Sequence, residues 1–188
     1  MTLIDSHNQS VWHFDPAYTT VEFVIRNLWY NVKGRFTGIE GVIVLDEDDI
    51  SRSSVTATIS ARSIETGNKR RDEHLLKTDF FDVEKYPDIT FESTRIKRGR
   101  DRDSLDLDGV LIVKDKQIPL ALAVNEMDRS RSPNGEEFIY YSATADLDRF
   151  ACGMSYGGPL IGRHSKVTIN VQASKYEPRN YADTHRYR

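Results

Sequence analysis

Apolar and polar residues alternate one by one along most of this chain, a period of two rather than 3.6. Such alternation builds half-buried strands, because successive side chains leave opposite faces of a pleated backbone. Val21, Phe23 and Ile25 share one face, with Glu22 and Arg26 on the other. Val55, Ala57 and Ile59 stand against Thr56, Thr58 and Ser60. Leu105, Leu107, Gly109, Leu111 and Val113 oppose Asp106 and Asp108, and Ile118, Leu120, Leu122 and Val124 follow. Tyr141, Ala143, Ala145 and Leu147 form another stripe, and Val167, Ile169 and Val171 the last. With residues 12–14, 36–45 and 89–96, the pattern predicts about nine strands.

Short polar punctuation separates them. Residues 46–49 are four acids, 114–116 suit a tight hairpin, and 98–103 and 130–135 read as longer polar loops. Links this short join antiparallel neighbours, since parallel strands need a long crossover. One segment departs from the pattern. Residues 69–78, KRRDEHLLKT, hold helix formers without Gly or Pro and precede Tyr86-Pro87, which predicts one short helix. Many antiparallel strands with one helix imply a closed barrel or a sandwich.

Composition sharpens the question of what lies inside. The 188 residues are 38% hydrophobic, and the rings number 2 Trp, 9 Tyr and 8 Phe. Such a core is either small and aromatic, or it encloses something other than side chains. Lys and Arg total 26 against 29 Asp and Glu, a balance that gives no dominant basic surface for nucleic acid. A single cysteine, Cys152, leaves no internal disulfide and no thiolate zinc site. The five histidines are scattered, so no metal site is expected. The start, MTLIDSHNQS, lacks the apolar stretch of a secretory signal, and no apolar run approaches the ~20 residues of a membrane span, which predicts a cytoplasmic protein.

No catalytic constellation is legible. The neighbours His164 and Ser165 lack the strand–turn–helix elbow of a hydrolase, so the chain is not expected to be an enzyme. Gly153, Gly157 and Gly158 precede no helix and read as bulges or close backbone approaches rather than a phosphate cradle. Arg70, Arg71, Asp72, His74 and Asp79 either bind a polar head group or pin the helix by ion pairs. Phe80 and Phe81 either wall a lumen or pack the helix down. Trp29 and Tyr30 either meet a lipid or partner at a mouth or are ordinary buried rings.

The order of motifs resembles the YceI-like family of lipocalin-like, polyisoprenoid-binding proteins across residues 11–174. Trp12-His13-Phe14-Asp15 is similar to the family's opening, and Gly34-Arg35-Phe36 with Gly38 and Gly41 to its Gly-x-Phe entry. Ser63-Ile64-Glu65-Thr66-Gly67, Arg71-Asp72-Glu73-His74-Leu75, Asp79-Phe80-Phe81-Asp82 and the run from Tyr86-Pro87 follow in order. Asp148-Arg149 with Gly153-Met154 is similar to its late element. The chain departs from the family pattern at Tyr18-Thr19-Thr20, at Asn27 and at Lys114-Asp115-Lys116-Gln117, so its polar fittings near the rim differ.

The resemblance implies an all-β fold: an eight-stranded antiparallel lipocalin-like barrel with one short helix packed beside it. It implies a single domain over residues 11–175, with 1–10 and 176–188 as flexible ends. It also implies an elongated lumen holding an isoprenoid or quinone-type lipid, with no other cofactor, and a possible homodimer. The ligand-binding set expected on this basis is Phe23, Ile25, Trp29, Phe36, Ile59, Phe80, Phe81, Phe91, Leu107, Leu111, Phe150 and Met154, with Arg71 and His74 as head-group candidates. A barrel filled by its own side chains, acting as an interaction module, or an enzyme acting on a small amphiphile are the alternatives.

Overall fold

The computed structural model describes residues 8–176. Its strands are β1 (Gln9–Phe14), β2 (Thr20–Asn27), β3 (Tyr30–Phe36), β4 (Ile39–Asp46), β5 (Ser54–Ser60), the two-residue β6 (Ile64–Glu65), β7 (Asp88–Arg98), β8 (Ser104–Val113), β9 (Lys116–Arg131), β10 (Glu137–Asp148) and β11 (Ile161–Lys175). Among the described residues the single α-helix, α1, spans Lys69–Leu75, and three 3-10 turns lie at Ile50–Arg52, Ala61–Ser63 and Gly158–Leu160. Every strand pairing is antiparallel.

Eight strands close a ring in the order β1-β4-β5-β7-β8-β9-β10-β11, and β11 returns to β1. β11 carries two partners in succession on one edge: β2 lies along its residues 161–170 and β1 along 173–175. β3 and β4 likewise run in succession, broken at Thr37-Gly38. Ring closure pairs most strand edges, while β6 covers only Arg35 and Phe36 on the outer edge of β3.

The hairpins set which end of the barrel is which. The helix end gathers the β2–β3 turn at Leu28-Trp29, the β8–β9 turn at Lys114-Asp115, α1, and the 149–160 loop. Lys114 adopts a left-handed φ of 57°, which lets two residues reverse the chain. The far end carries the β4–β5 connection, whose Ile50 and Ser53 border the interior. There the fully buried Asp46 accepts the amides of Asp48 and Asp49 and the Arg52 guanidinium. The Asp49 amide, with Arg52, holds the Asp46 carboxyl below its usual range.

The alternation located the barrel strands but not all their limits. The pattern does not reveal residues 30–35 as a strand, because Gly34 occupies an inward position, and the single strand expected over 36–45 is split at Thr37-Gly38 into the end of β3 and β4. β9 continues to Arg131, well past the apolar stretch, and stays paired with β10 across a bulge at Met127, between the Glu126–Tyr141 and Asp128–Tyr140 partners. α1 ends at Leu75, three residues early. The amides of Lys77, Phe81 and Val83 turn back onto His74, Leu75 and Leu76, folding the chain under the helix. Of the segments expected to be flexible, Gln9 and Ser10 belong to β1. The Tyr176 amide donates to Val11, and its ring meets His13 edge-on. Residues 1–7 and 177–188 lie outside the described residues.

Candidate functional site: an apolar lumen

The inward faces of the ring strands surround a cavity of about 410 Å³. β2 contributes Val21, Phe23 and Ile25, β5 contributes Val55, Ala57 and Ile59, and β11 contributes Val167, Ile169 and Val171. On β7, Ile89 and Phe91 alternate inward. A register shift between Ser93 and Arg95 then resets the parity, so that Ile96 also faces in. The volume falls within the range of roughly 300–1,000 Å³ typical of small-molecule sites.

The wall rings do not fill this space, because they lie against it. Phe23 is opposite Gly34 in the β2–β3 register, and a Cβ on that glycine would stand 2.3 Å from the ring's Cζ. Phe91 covers Gly109 with the same 2.3 Å approach, and Phe14 covers Gly41 at 2.4 Å. Real side chains do not approach so closely, so each glycine is the recess in which a ring lies flat. The lumen therefore stays open although its wall is aromatic. Phe23, Ile59, Val167, Ile169 and Val171 point inward yet are only half-buried, as residues facing unfilled space are.

At the helix end, α1 and the 149–160 loop roof the lumen. The His74 ring meets Tyr156 at 4.9 Å and Phe80 at 5.2 Å, both edge-on, and Phe81 meets Phe36 at 5.6 Å. All five residues border the cavity. Phe80 and Phe81 therefore both wall the lumen while packing the helix down.

The helix charges form less of an ion-pair network than the sequence suggested. Arg71 donates from Nε to the Thr66 hydroxyl at 2.7 Å and from Nη2 to the Thr66 carbonyl at 2.9 Å. Asp72 accepts the Thr66 amide at 2.9 Å. Among the described residues, the one contact within the cluster between a basic and an acidic side chain joins the His74 ring to the Asp79 carboxylate at 3.2 Å. Arg71 has no carboxylate partner among the described residues, and it borders the lumen.

The roof loop is organised by Arg149, a residue of the late motif to which the sequence assigns no role. Arg149 is 5% exposed and donates to five backbone carbonyls, those of Met154, Tyr156, Gly158, Ile161 and Gly162. One guanidinium thus gathers both ends of the loop, using its fixed fork of donors. Gly153, Gly157 and Gly158 are not strand bulges. They take left-handed φ values of 74°, 79° and 44° and turn this loop. The loop delivers Cys152 and Met154 to the cavity wall. Burial pushes the Cys152 thiol up to about 11.

Of the expected ligand-binding residues, Phe23, Ile25, Phe36, Ile59, Phe80, Phe81, Phe91, Leu107, Leu111 and Met154 border the lumen, as do Arg71 and His74. Two do not. Trp29 is 87% exposed because it sits in the two-residue β2–β3 turn, beyond the last register pair of that hairpin, Asn27 and Tyr30. Phe150 is 40% exposed and turned outward, between the Arg149 and Arg163 guanidinium groups at 4.7 and 5.4 Å. Asn27, Tyr156 and Arg149 border the cavity in addition to the expected ligand-binding set, Asn27 as one of the altered polar positions near the rim. For Asn27 the signal was its place at the end of the Val21-Phe23-Ile25 stripe.

The polar groups do not converge as an acid, base and nucleophile. Ser165 faces the lumen and donates to the Val24 carbonyl, while His164 points outward and meets Asp146 at 2.7 Å. Adjacent strand residues face opposite ways, so these two cannot act on one substrate. Among the described residues no cluster of His, Cys, Asp and Glu could hold a metal ion, and no helix is long and apolar enough to cross a membrane.

A family model described as the YceI-like domain matches residues 12–173. A UPF0312 protein of Pseudomonas paraeruginosa is 34% identical over 146 residues, covering 76% of this chain and 75% of its own. The solved structure of a Campylobacter jejuni YceI protein superposes with a TM-score of 0.72 at 27% identity, over 79% of this chain and 87% of that one. A polyisoprenoid binding domain from Saccharophagus degradans shares the fold, with a TM-score of 0.64 at 13% identity over 88% and 98% of the two chains.

Proposed function

The chain belongs to the YceI-like domain family, and on that footing we propose that it binds, stores or carries a long apolar isoprenoid-type lipid inside its barrel, without catalysing a reaction on it. A polyprenyl phosphate or the tail of a quinone fits this description. The observation that carries the reading is the open lumen of about 410 Å³, walled by aliphatic and aromatic side chains laid back against the sheet. Such a wall offers a hydrocarbon chain burial worth about 25 cal/mol per Å² and almost no hydrogen-bond partners. The wall holds no carboxylate among the described residues, so an acid–base pair would have to come from elsewhere. The name of the Saccharophagus degradans domain supports the same ligand class. We assign Arg71, whose Nη1 has no protein partner among the described residues, and His74 as the groups that meet a phosphate or carbonyl head at the helix end.

The reading extends to a cytoplasmic carrier, in keeping with one buried, protonated thiol, and to a possible homodimer. Sedimentation in the presence and absence of lipid tests the second point. The binding itself is tested by purifying the protein without detergent, extracting it with organic solvent and analysing the extract by mass spectrometry. A stoichiometric polyprenyl or quinone species is expected. An empty protein that also refuses added polyprenols and quinones would sink the reading.

A further inference from the structure

Among the described residues, the exposed large apolar side chains are not spread evenly. Of ten, six stand around the helix-end mouth: Leu28, Trp29, Tyr30, Phe150, Tyr156 and Leu160. The Leu28 amide donates to the Leu160 carbonyl at 2.9 Å, which joins the β2–β3 turn to the roof loop. Tyr156 joins that loop to α1 through His74. The patch is continuous with the lumen, since Asn27, Tyr156 and Ile161 border the cavity and the Asn27 side chain donates to the Tyr30 hydroxyl at 3.2 Å.

The same three segments carry the opposite charge balance to the whole chain. Residues 26–33, 69–75 and 148–163 hold seven cations and three carboxylates, whereas the protein has a formal charge of -3. Arg26, Lys33, Lys69 and Arg70 are exposed and make no salt bridge among the described residues. Trp and Tyr beside a hydrocarbon boundary, with Lys and Arg around them, suit the interface of an anionic bilayer. A symmetric second copy suits this face poorly, because it would set the cationic surplus against itself.

We propose that the β2–β3 turn and the 149–160 loop form a docking surface for an anionic lipid bilayer, on which the mouth of the lumen opens directly into the membrane interface. The inference rests on the lumen being a lipid site, and it adds the route by which lipid enters. An isoprenoid chain leaving the bilayer through a docked mouth is never exposed to water, whereas release into solvent would expose its whole apolar surface. Trp29 and Leu28 insert, and the cations hold the headgroups.

The test uses the full chain and vesicles that contain no isoprenoid, with phosphatidylcholine either alone or mixed with phosphatidylglycerol. The wild type is expected to float with the mixed vesicles and to lose this binding in high salt. Trp29 emission should shift to the blue on binding, while Trp12, 3% exposed, contributes a constant background. Trp29→Ser should weaken vesicle binding about tenfold, and Arg26→Gln with Lys33→Gln about tenfold or more. Both variants should keep the wild-type melting temperature and the uptake of polyprenol added from ethanol. Failure to float on mixed vesicles, or unchanged floating of Trp29→Ser, would overturn the docking proposal. A blue shift that grows with protein concentration alone would overturn it too, in favour of a second copy on this face. Vesicle binding by a protein that takes up no polyprenol would support the docking surface and sink the lumen reading, so the two failures are distinct.

Discussion

The ring of Phe23 lies over Gly34 on the neighbouring strand, so close that a Cβ on the glycine would fall 2.3 Å from the ring's Cζ. This contact ties one short residue to the shape of the lumen. Gly34→Ala should drive the Phe23 ring off the wall and into the cavity. We expect a loss of stability of about 1–3 kcal/mol, from displaced packing, and a clear drop in lipid uptake. Urea unfolding and polyprenol binding measured on the same preparation check both. Unchanged uptake would mean that the ring finds room elsewhere.

Arg149 should matter to the roof rather than to any reaction. Arg149→Met keeps the bulk of the stem but leaves five carbonyls without their donor. The expected cost is roughly 3 kcal/mol, with proteolysis opening first between residues 149 and 161. Arg149→Lys should rescue little, because one ammonium cannot reproduce the fork. Limited digestion followed by mass mapping, alongside a thermal melt, provides the readout.

Alkaline stability should carry the signature of Cys152. Burial raises its thiol from 9.0 to about 11, so the folded protein holds the proton more tightly than the unfolded chain does. The resulting stabilisation is fully present below pH 9 and is lost as pH rises toward 11. Cys152→Ala should flatten the decline in that window and change little near neutrality beyond the loss of packing. Denaturant titrations of both proteins from pH 8 upward check the sign.

Much of this fold was legible because strand alternation depends only on which side chains can face a core. The stripes Val21-Phe23-Ile25, Val55-Ala57-Ile59 and Val167-Ile169-Val171 all face the lumen as read. Alternation could not show whether rings lie across a barrel or along its wall. That depends on cross-strand register, which pairs Phe23 with Gly34 and sets Phe91 over Gly109. Nor could it find β3, where the same glycine interrupts the stripe. Phe150 turns outward, because an aromatic residue in a loop looks like one in a core until the loop is located, whereas Trp29 stands exposed at the helix-end mouth, the first of its two readings rather than the buried ring. Arg149 belongs to the late motif, but its clamping role is not legible there, since its partners are backbone carbonyls rather than side chains.

The central claim is that the open lumen takes up lipid. Ala57 faces the cavity from the middle of β5, and Ala57→Phe would fill that space from the wall outward. Native mass spectrometry of the intact protein, before and after incubation with a polyprenol, tests the claim most directly. The account predicts one lipid per barrel on the wild type and none on a folded Ala57→Phe protein. A wild type that stays at its bare mass, or a filled variant that binds lipid equally well, would contradict it.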